Sequence, residues 1–279
     1  FSTDVGNKGQ KLLNLSNILI AKLGTRVYVT ATDLDIEIKT FAEMGAEGTD
    51  ISVTVDAAKL QSLISALNHG SEVTLSQTSQ SDPTVELKQG KSTFKLNTLP
   101  ADEFPNRPEA QFTQSFAIPA NQIRHLLQLV HFSMAQQDIR YFLNGMLLSV
   151  EGDVIRVVTT DGHRLAYCEG KLESALTQNI QCIVPRRTVM EMLRLIPDSD
   201  ESITIAISEA EIRITWSNIT LSSKLVEGKF PDYNRVIPVN NTNIFVIKRD
   251  VLLGALKRTA ILANAKLRGV KWELKNNTL

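Results

Sequence analysis

The chain has 279 residues, of which 43% are hydrophobic and 22% charged. That composition excludes a disordered polymer and sets an expectation of about two domains. Thirty basic residues balance thirty acidic ones, so a nucleic-acid role would need uneven placement of charge. No apolar run nears the ~20 residues of a membrane span. Cys168 and Cys182 lack CxxC or metal-ligand spacing and read as buried, reduced thiols of a cytosolic protein. The first residue is Phe1 rather than Met, which leaves open a missing start or a removed targeting peptide.

In chain order, Leu15-Ser-Asn-Ile-Leu-Ile20 and Arg26-Val-Tyr-Val-Thr-Ala-Thr-Asp33 read as strands, and Leu60, Leu63, Ile64 and Leu67 mark a helix. Leu99-Pro-Ala-Asp-Glu-Phe-Pro105 follows. Residues 119–130 have the period of a second helix. Next come Leu143-Asn-Gly-Met-Leu-Leu148 and Ile155-Arg-Val-Val-Thr-Thr-Asp161. A helix marked by Val189, Met190, Leu193 and Ile196 comes after these, then strands at 202–207, 211–216 and 220–225, and finally Leu225-Val-Glu-Gly-Lys-Phe-Pro231. The second set repeats the first at an offset of 126–129 residues, and Ile247–Leu256 repeats Ile118–Leu127 at 129. A period this long suits whole domains. The expected divisions are 1–113 without an opening helix, 114–241 complete, and 242–279 as the start of a third copy. On this reading the chain is a fragment. Two helices among many short alternating strands give the expected fold class: α+β, repeated antiparallel-sheet domains with two helices each.

Asp161-Gly162 between two β-rich runs predicts a hairpin with a two-residue type I′ turn. The turn brings an acid and the His163-Arg164 pair together, either as a catalytic corner or as a docking surface. A hydrolytic triad would use Asp161, His163 and Ser133. No G-x-S-x-G elbow is present, however, and the matching turn in the first copy reads Asp33-Leu-Asp35, without histidine. His69, His125, His131 and His163 have no metal-ligand spacing, and Gly45, Gly48 and Gly152 read as turn residues rather than a phosphate loop. Leu143, Leu165 and Val236, with Pro231, are candidates for an apolar pocket rimmed by His163, Arg164 and Arg235. Such a pocket could seat a partner peptide; the alternative is ordinary core and turn packing.

Charge separates by element. The four helical stretches carry 0 (56–68), +1 (119–130), +2 (185–196) and +3 (248–262), so strands and loops carry the compensating negative charge. These are either solvated helix faces or a helix-lined surface that meets phosphates without reading bases.

Five segments together resemble the bacterial DNA polymerase III β-subunit (sliding-clamp) family. They are Leu99–Pro105, Phe132-Ser-Met-Ala-Gln-Gln-Asp-Ile-Arg-Tyr-Phe-Leu-Asn-Gly-Met146, Thr159-Thr-Asp-Gly-His-Arg-Leu165, Ser223–Val236 and Ala260-Ile-Leu-Ala-Asn-Ala-Lys-Leu-Arg-Gly-Val270. The resemblance implies three similar domains per chain and a head-to-tail dimer, when full length, that closes round duplex DNA. It implies a cytoplasmic, nucleoid-associated processivity factor with no catalysis, cofactor or metal. Partner motifs from polymerases, the clamp loader and repair proteins would dock on Leu143, Thr160, Gly162, His163, Arg164, Leu165, Pro231, Arg235 and Val236. DNA would be faced by Gln137, Arg140, Tyr141, Arg186 and Arg187. Phe94 and Leu96 of one chain would meet Ile261 and Leu262 of another, and the fragment by itself is expected not to close the ring. The competing readings are a sequence-neutral DNA-binding protein without a ring and a hydrolase.

Overall fold

The computed structural model describes residues 13–44, 48–68, 70–77, 83–105, 107–263, 269–275 and 278–279; His69 and Gly45 lie outside them. The first repeat runs β1 (Asn17–Leu23), β2 (Arg26–Thr32), β3 (Ile36–Glu43), β4 (Ile51–Asp56), α1 (Ala57–Ala66), β5 (Thr74–Ser76), β6 (Thr84–Gln89) and β7 (Ser92–Leu99). The second opens with β8 (Gln114–Pro119) and α2 (Ala120–Val130). It continues with β9 (Gly145–Glu151), β10 (Val154–Thr160), β11 (Leu165–Lys171), β12 (Ile180–Pro185), α3 (Arg186–Leu195), β13 (Ser202–Ile207), β14 (Glu211–Trp216) and β15 (Ile219–Lys224). The series from β1 to β7 recurs as β9 to β15 at offsets of 127–129 residues, so the repeat read from sequence is a repeat of structure.

Period-two patterning sets the strand faces. Ile203, Ile205 and Ile207 of β13 and Ile212, Ile214 and Trp216 of β14 turn inward, while Thr204 and Thr215 form a cross-strand pair. In α2, Ile123, Leu126, Leu127 and Val130 share one face and are buried. Each such side chain contributes about 1.5–3 kcal/mol on leaving water. Two expected core positions differ. Ile64 on α1 is 52% exposed, and on α3 Met190 points outward while Met192 is buried; the helical period rotates the apolar face onto 189 and 192 rather than 190. Arg124 of α2 donates to the carbonyls of Leu193 and Ile196, binding α2 to the C-terminal end of α3.

The sheets explain how the repeats join. One sheet of eleven strands runs β5-β6-β7-β4-β1-β2-β3-β15-β14-β13-β8, and a second runs β11-β10-β9-β12. The seam is β3 against β15, antiparallel, with buried Ile38 opposite buried Leu221. Arg107, in the segment between the repeats, adds a pin. It pairs with Glu211 at 2.9 Å and donates to Asp35 O and Ser222 O, one in each repeat.

The chain divides into two compact units after Phe230, and both repeats lie in the first. Its second unit, described by itself, holds a 3-10 turn at Tyr233–Arg235 and the helix α4 (Arg249–Ala260), none of whose residues is buried. Cys168 and Cys182 are free thiols, half-buried rather than buried, and burial pushes the Cys182 thiol up to about 12. Among the described residues no helix is long and apolar enough to cross a membrane.

Candidate functional site

The site is built round the β10–β11 connection. Thr160 pairs with Leu165, which leaves a four-residue loop, 161–164, in place of the expected two-residue type I′ turn. Side-chain hydrogen bonds explain the longer loop. Thr160 Oγ1 donates to Arg164 O at 2.7 Å and accepts from Gly162 N at 3.0 Å. Asp161 Oδ1 accepts from the backbone N–H of His163 at 2.9 Å and of Arg164 at 3.0 Å. Gly162 takes φ +85°, a left-handed conformation suited to glycine. Burial pushes the Asp161 carboxyl up, but these N–H donors and the Arg164 guanidinium outweigh it and hold the group below its ordinary value.

A second segment, 131–144, lies against this loop. Arg140 holds Asp138 through Nε at 3.0 Å and Nη2 at 2.8 Å, and Nη2 also reaches Asp161 O at 3.3 Å. The guanidinium sits where a side chain on Gly162 would begin, 3.0 Å from an ideal Cβ, so this glycine also permits a close approach. The Arg140 hydrogen bonds pull the Asp138 carboxyl down to about 2. Asn144 fixes the segment by accepting from Asp138 N at 3.0 Å and donating to Asp138 O at 2.9 Å. Arg164 donates to Phe132 O at 2.6 Å and lies over the half-exposed Phe132 ring. Asp138, Asn144 and Phe132 are the members that sequence reasoning missed. The pairing of Asp138 with Arg140 two residues on was their available signal.

Of the expected docking residues, the structure brings together Thr160, Gly162, His163, Arg164 and half-buried Leu165. Leu143 does not sit on a strand. It closes the 3-10 turn Tyr141–Leu143 and is 2% exposed, so its side chain supports the surface from beneath. Pro231, Arg235 and Val236 belong to the second unit, where Arg235 pairs with Asp232 at 2.9 Å and Val236 is exposed. Ser133 is buried, its hydroxyl closed to water, which disfavours it as a nucleophile beside Asp161 and His163.

Gln137, Arg140 and Tyr141 share the 131–144 segment. They are exposed, with Gln137 at φ +55°. Arg186 and Arg187 open α3 but have internal work. Arg186 donates to His131 O and Met134 O, and Arg187 forms an ion pair with the buried Asp33 across the seam. Phe94 and Leu96 are half-buried on β7, which pairs with β6 along its length and with β4 only at Leu99 and Thr98. Ile261 and Leu262 follow α4 and are 80% and 92% exposed.

Residues 8–108 match the N-terminal domain, and residues 117–232 the central domain, of the DNA polymerase III beta subunit. The chain is 39% identical over 277 residues to the beta sliding clamp of Pseudomonas aeruginosa, covering 99% of this chain and 74% of that protein. It is 38% identical to the beta sliding clamp of Haemophilus influenzae, covering 95% and 71%. A crystal structure of the Pseudomonas aeruginosa sliding clamp bound to griselimycin superposes with a TM-score of 0.90 at 37% identity, over 96% of this chain and 72% of that one.

Proposed function

Because the chain belongs to the DNA polymerase III β-subunit, or sliding-clamp, family, we propose that it acts as a non-catalytic processivity factor. In this role it encircles duplex DNA as a head-to-tail homodimer, slides without reading sequence and docks partner proteins at the 161–164 loop. It needs no cofactor or metal and works in the cytoplasm, at the nucleoid. The domains in this reading are 1–113, 114–241 and, from 242, the opening of a third.

One observation carries the ring. β15 of the second repeat pairs with β3 of the first through residues 219–223. The equivalent strand of the first repeat is β7, whose edge at 92–97 meets no β4 partner among the described residues. A repeat that joins its neighbour by this edge leaves one such edge at the start of the series and calls for another repeat to meet it. Phe94 and Leu96 stand on that edge, so we assign it to the contact with Ile261 and Leu262 of a second chain. Docking is assigned to His163, Arg164, Gly162, Thr160 and Leu165, supported by Leu143. DNA is faced by Gln137, Arg140 and Tyr141, with Arg186 and Arg187 behind them as phosphate-attracting charges.

The test is retention on DNA. A ring stays on closed circular DNA and runs off after linearisation, with affinity that falls steeply with salt. Equal retention on circular and linear DNA would replace the ring by a simple sequence-neutral binder.

A further inference from the structure

The eleven-stranded sheet has a second face. Strand alternation sends Ile18, Ala31 and Ile38 toward Leu60 of α1, and sends Leu19, Thr30, Glu37 and Lys39 the other way. At the β3–β15 seam, residues 101–105 and 107–109 cover that outer face and close a cavity of about 580 Å³. The volume falls within the roughly 300–1,000 Å³ of small-molecule sites. The cover is fixed at two points. Phe104 is buried, and Arg107 is bound to Glu211 and to carbonyls of both repeats.

Strand register arranges the floor in two rows. Arg213, Ser222 and Glu37 are successive cross-strand partners on β14, β15 and β3. Thr220, Lys39, Thr30 and Leu19 form the next row. Two strand spacings put the backbones of Arg213 and Glu37 about 10 Å apart. The charges on this floor are not spent on one another. Arg213 donates through Nε to Ser222 Oγ at 3.3 Å and lies over the Phe112 ring, but makes no ion pair among the described residues. Lys39 lies over the Tyr28 ring, also without an ion pair among them. Glu37 accepts no hydrogen bond among the described residues. Burial pushes its carboxyl up, and the charges of Arg107, Lys39 and Arg213 offset that only in part. Asp102 and Glu109 also line the cavity but are exposed, where water and salt screen them. A half-buried carboxylate here lacks a donor, and an arginine two strands away lacks an anion.

We propose that this cavity binds a nucleotide-sized phosphate, with Arg213, Lys39 and the Ser222 and Thr220 hydroxyls receiving the phosphoryl group and Glu37 accepting the N–H donors of the base edge. A guanine edge suits the arrangement best, because its adjacent N–H groups match the two oxygens of a carboxylate. Leu19 and Phe104 supply the apolar wall for the ring. The residues assigned above to DNA, docking and the ring contact do not line the cavity, so the site stands whether or not the ring forms.

Calorimetric titration of guanosine monophosphate into the chain is the test, with guanosine and inorganic phosphate titrated as its separate halves. The monophosphate is expected to bind about tenfold more tightly than either half. Arg213→Gln and Glu37→Gln exchange half-buried charged side chains for neutral ones of similar shape, and urea unfolding checks that both variants fold. Each is expected to weaken the monophosphate about tenfold. Arg213→Gln also removes affinity for inorganic phosphate, whereas Glu37→Gln leaves that affinity intact. Arg26→Gln, which changes an exposed cation of the same sheet face outside the cavity, leaves all three affinities unchanged. No binding of the monophosphate, inorganic phosphate bound as tightly as the monophosphate, affinities indifferent to Arg213→Gln and Glu37→Gln, or an equal loss with Arg26→Gln would each overturn the proposal.

Discussion

The loops at 32–36 and 160–164 are the same device put to two uses. In the first, Thr32 Oγ1 donates to Ile36 O at 2.9 Å and accepts from Leu34 N at 3.1 Å, while Asp33 Oδ1 accepts from Asp35 N at 3.0 Å and Ile36 N at 2.7 Å. Each bond has its counterpart, one repeat later, round Thr160 and Asp161. Even the left-handed residue is kept: Leu34 at φ +77° and Gly162 at φ +85°. The environments differ. Asp33 is 4% exposed and meets Arg187 across the seam, whereas the second loop lies open with His163 and Arg164 in water. The side-chain frame is therefore shared by the two repeats, while the residues laid over it and their surroundings differ. Only the second loop has an arginine, Arg140, stacked on its glycine.

The largest expected effect breaks that symmetry. Asp33→Ala removes a buried carboxylate that serves two N–H donors and an arginine, and is expected to cost about 3 kcal/mol in urea unfolding. Asp161→Ala loses the equivalent bonds where water replaces them, and about 1 kcal/mol is expected. Equal losses would show that burial at the seam adds nothing to the shared frame. Next in size is Gly162→Val. It puts a β-branched residue in left-handed backbone and a Cβ against the Arg140 guanidinium, so a loss of about 1–2 kcal/mol is expected. The reverse exchange, Leu34→Gly, relieves the same conformation at a 44% exposed side chain and is expected to raise stability by up to about 1 kcal/mol.

What the sequence disclosed follows from the range of each interaction. The repeat, the fold class and the three strands from 202 to 225 rest on periodicity within a few residues or on comparison of distant segments, and both can be read from one chain. The two-residue turn was misread because Thr160 and Asp161 use their side chains on neighbouring backbone, which opens the loop by two positions. The ion pair of Arg187 with Asp33 leaves no local signature, because the two residues lie in different repeats and meet at the β3–β15 seam. Leu143 reads as a strand residue in the sequence because the 3-10 turn that tucks it under has no periodic signature. Seam pairing, pinned by Arg107, is a long-range property of which the local pattern holds no trace.

Acid sharpens the contrast more gently. The folded chain holds both Asp138 and Asp161 below their ordinary values, so each binds protons more weakly folded than unfolded. Their contribution is present above the ordinary aspartate range and fades as pH falls, for Asp138 through about 2. The Asp138 side-chain carboxyl resonance should hold steady at mildly acidic pH and shift only as that value is approached. A midpoint at the ordinary aspartate value would mean that Arg140 does not hold Asp138 in solution.

The smallest effect on stability is the most telling for function. His163 is exposed at the tip of the loop, and only its backbone N–H belongs to the Thr-Asp frame. His163→Ala should therefore stay within about 0.5 kcal/mol of the parent in unfolding. If the residues laid over the frame are the docking surface, the same change lowers affinity for a partner-motif peptide about tenfold, the loss of one good contact at roughly 1.4 kcal/mol. Asp35→Ala, at the equivalent position of the first repeat, should alter neither quantity. Calorimetric titration of one peptide into both variants separates the cases. Equal affinities would return the second loop to the role of the first, a turn that holds its sheet together and nothing more.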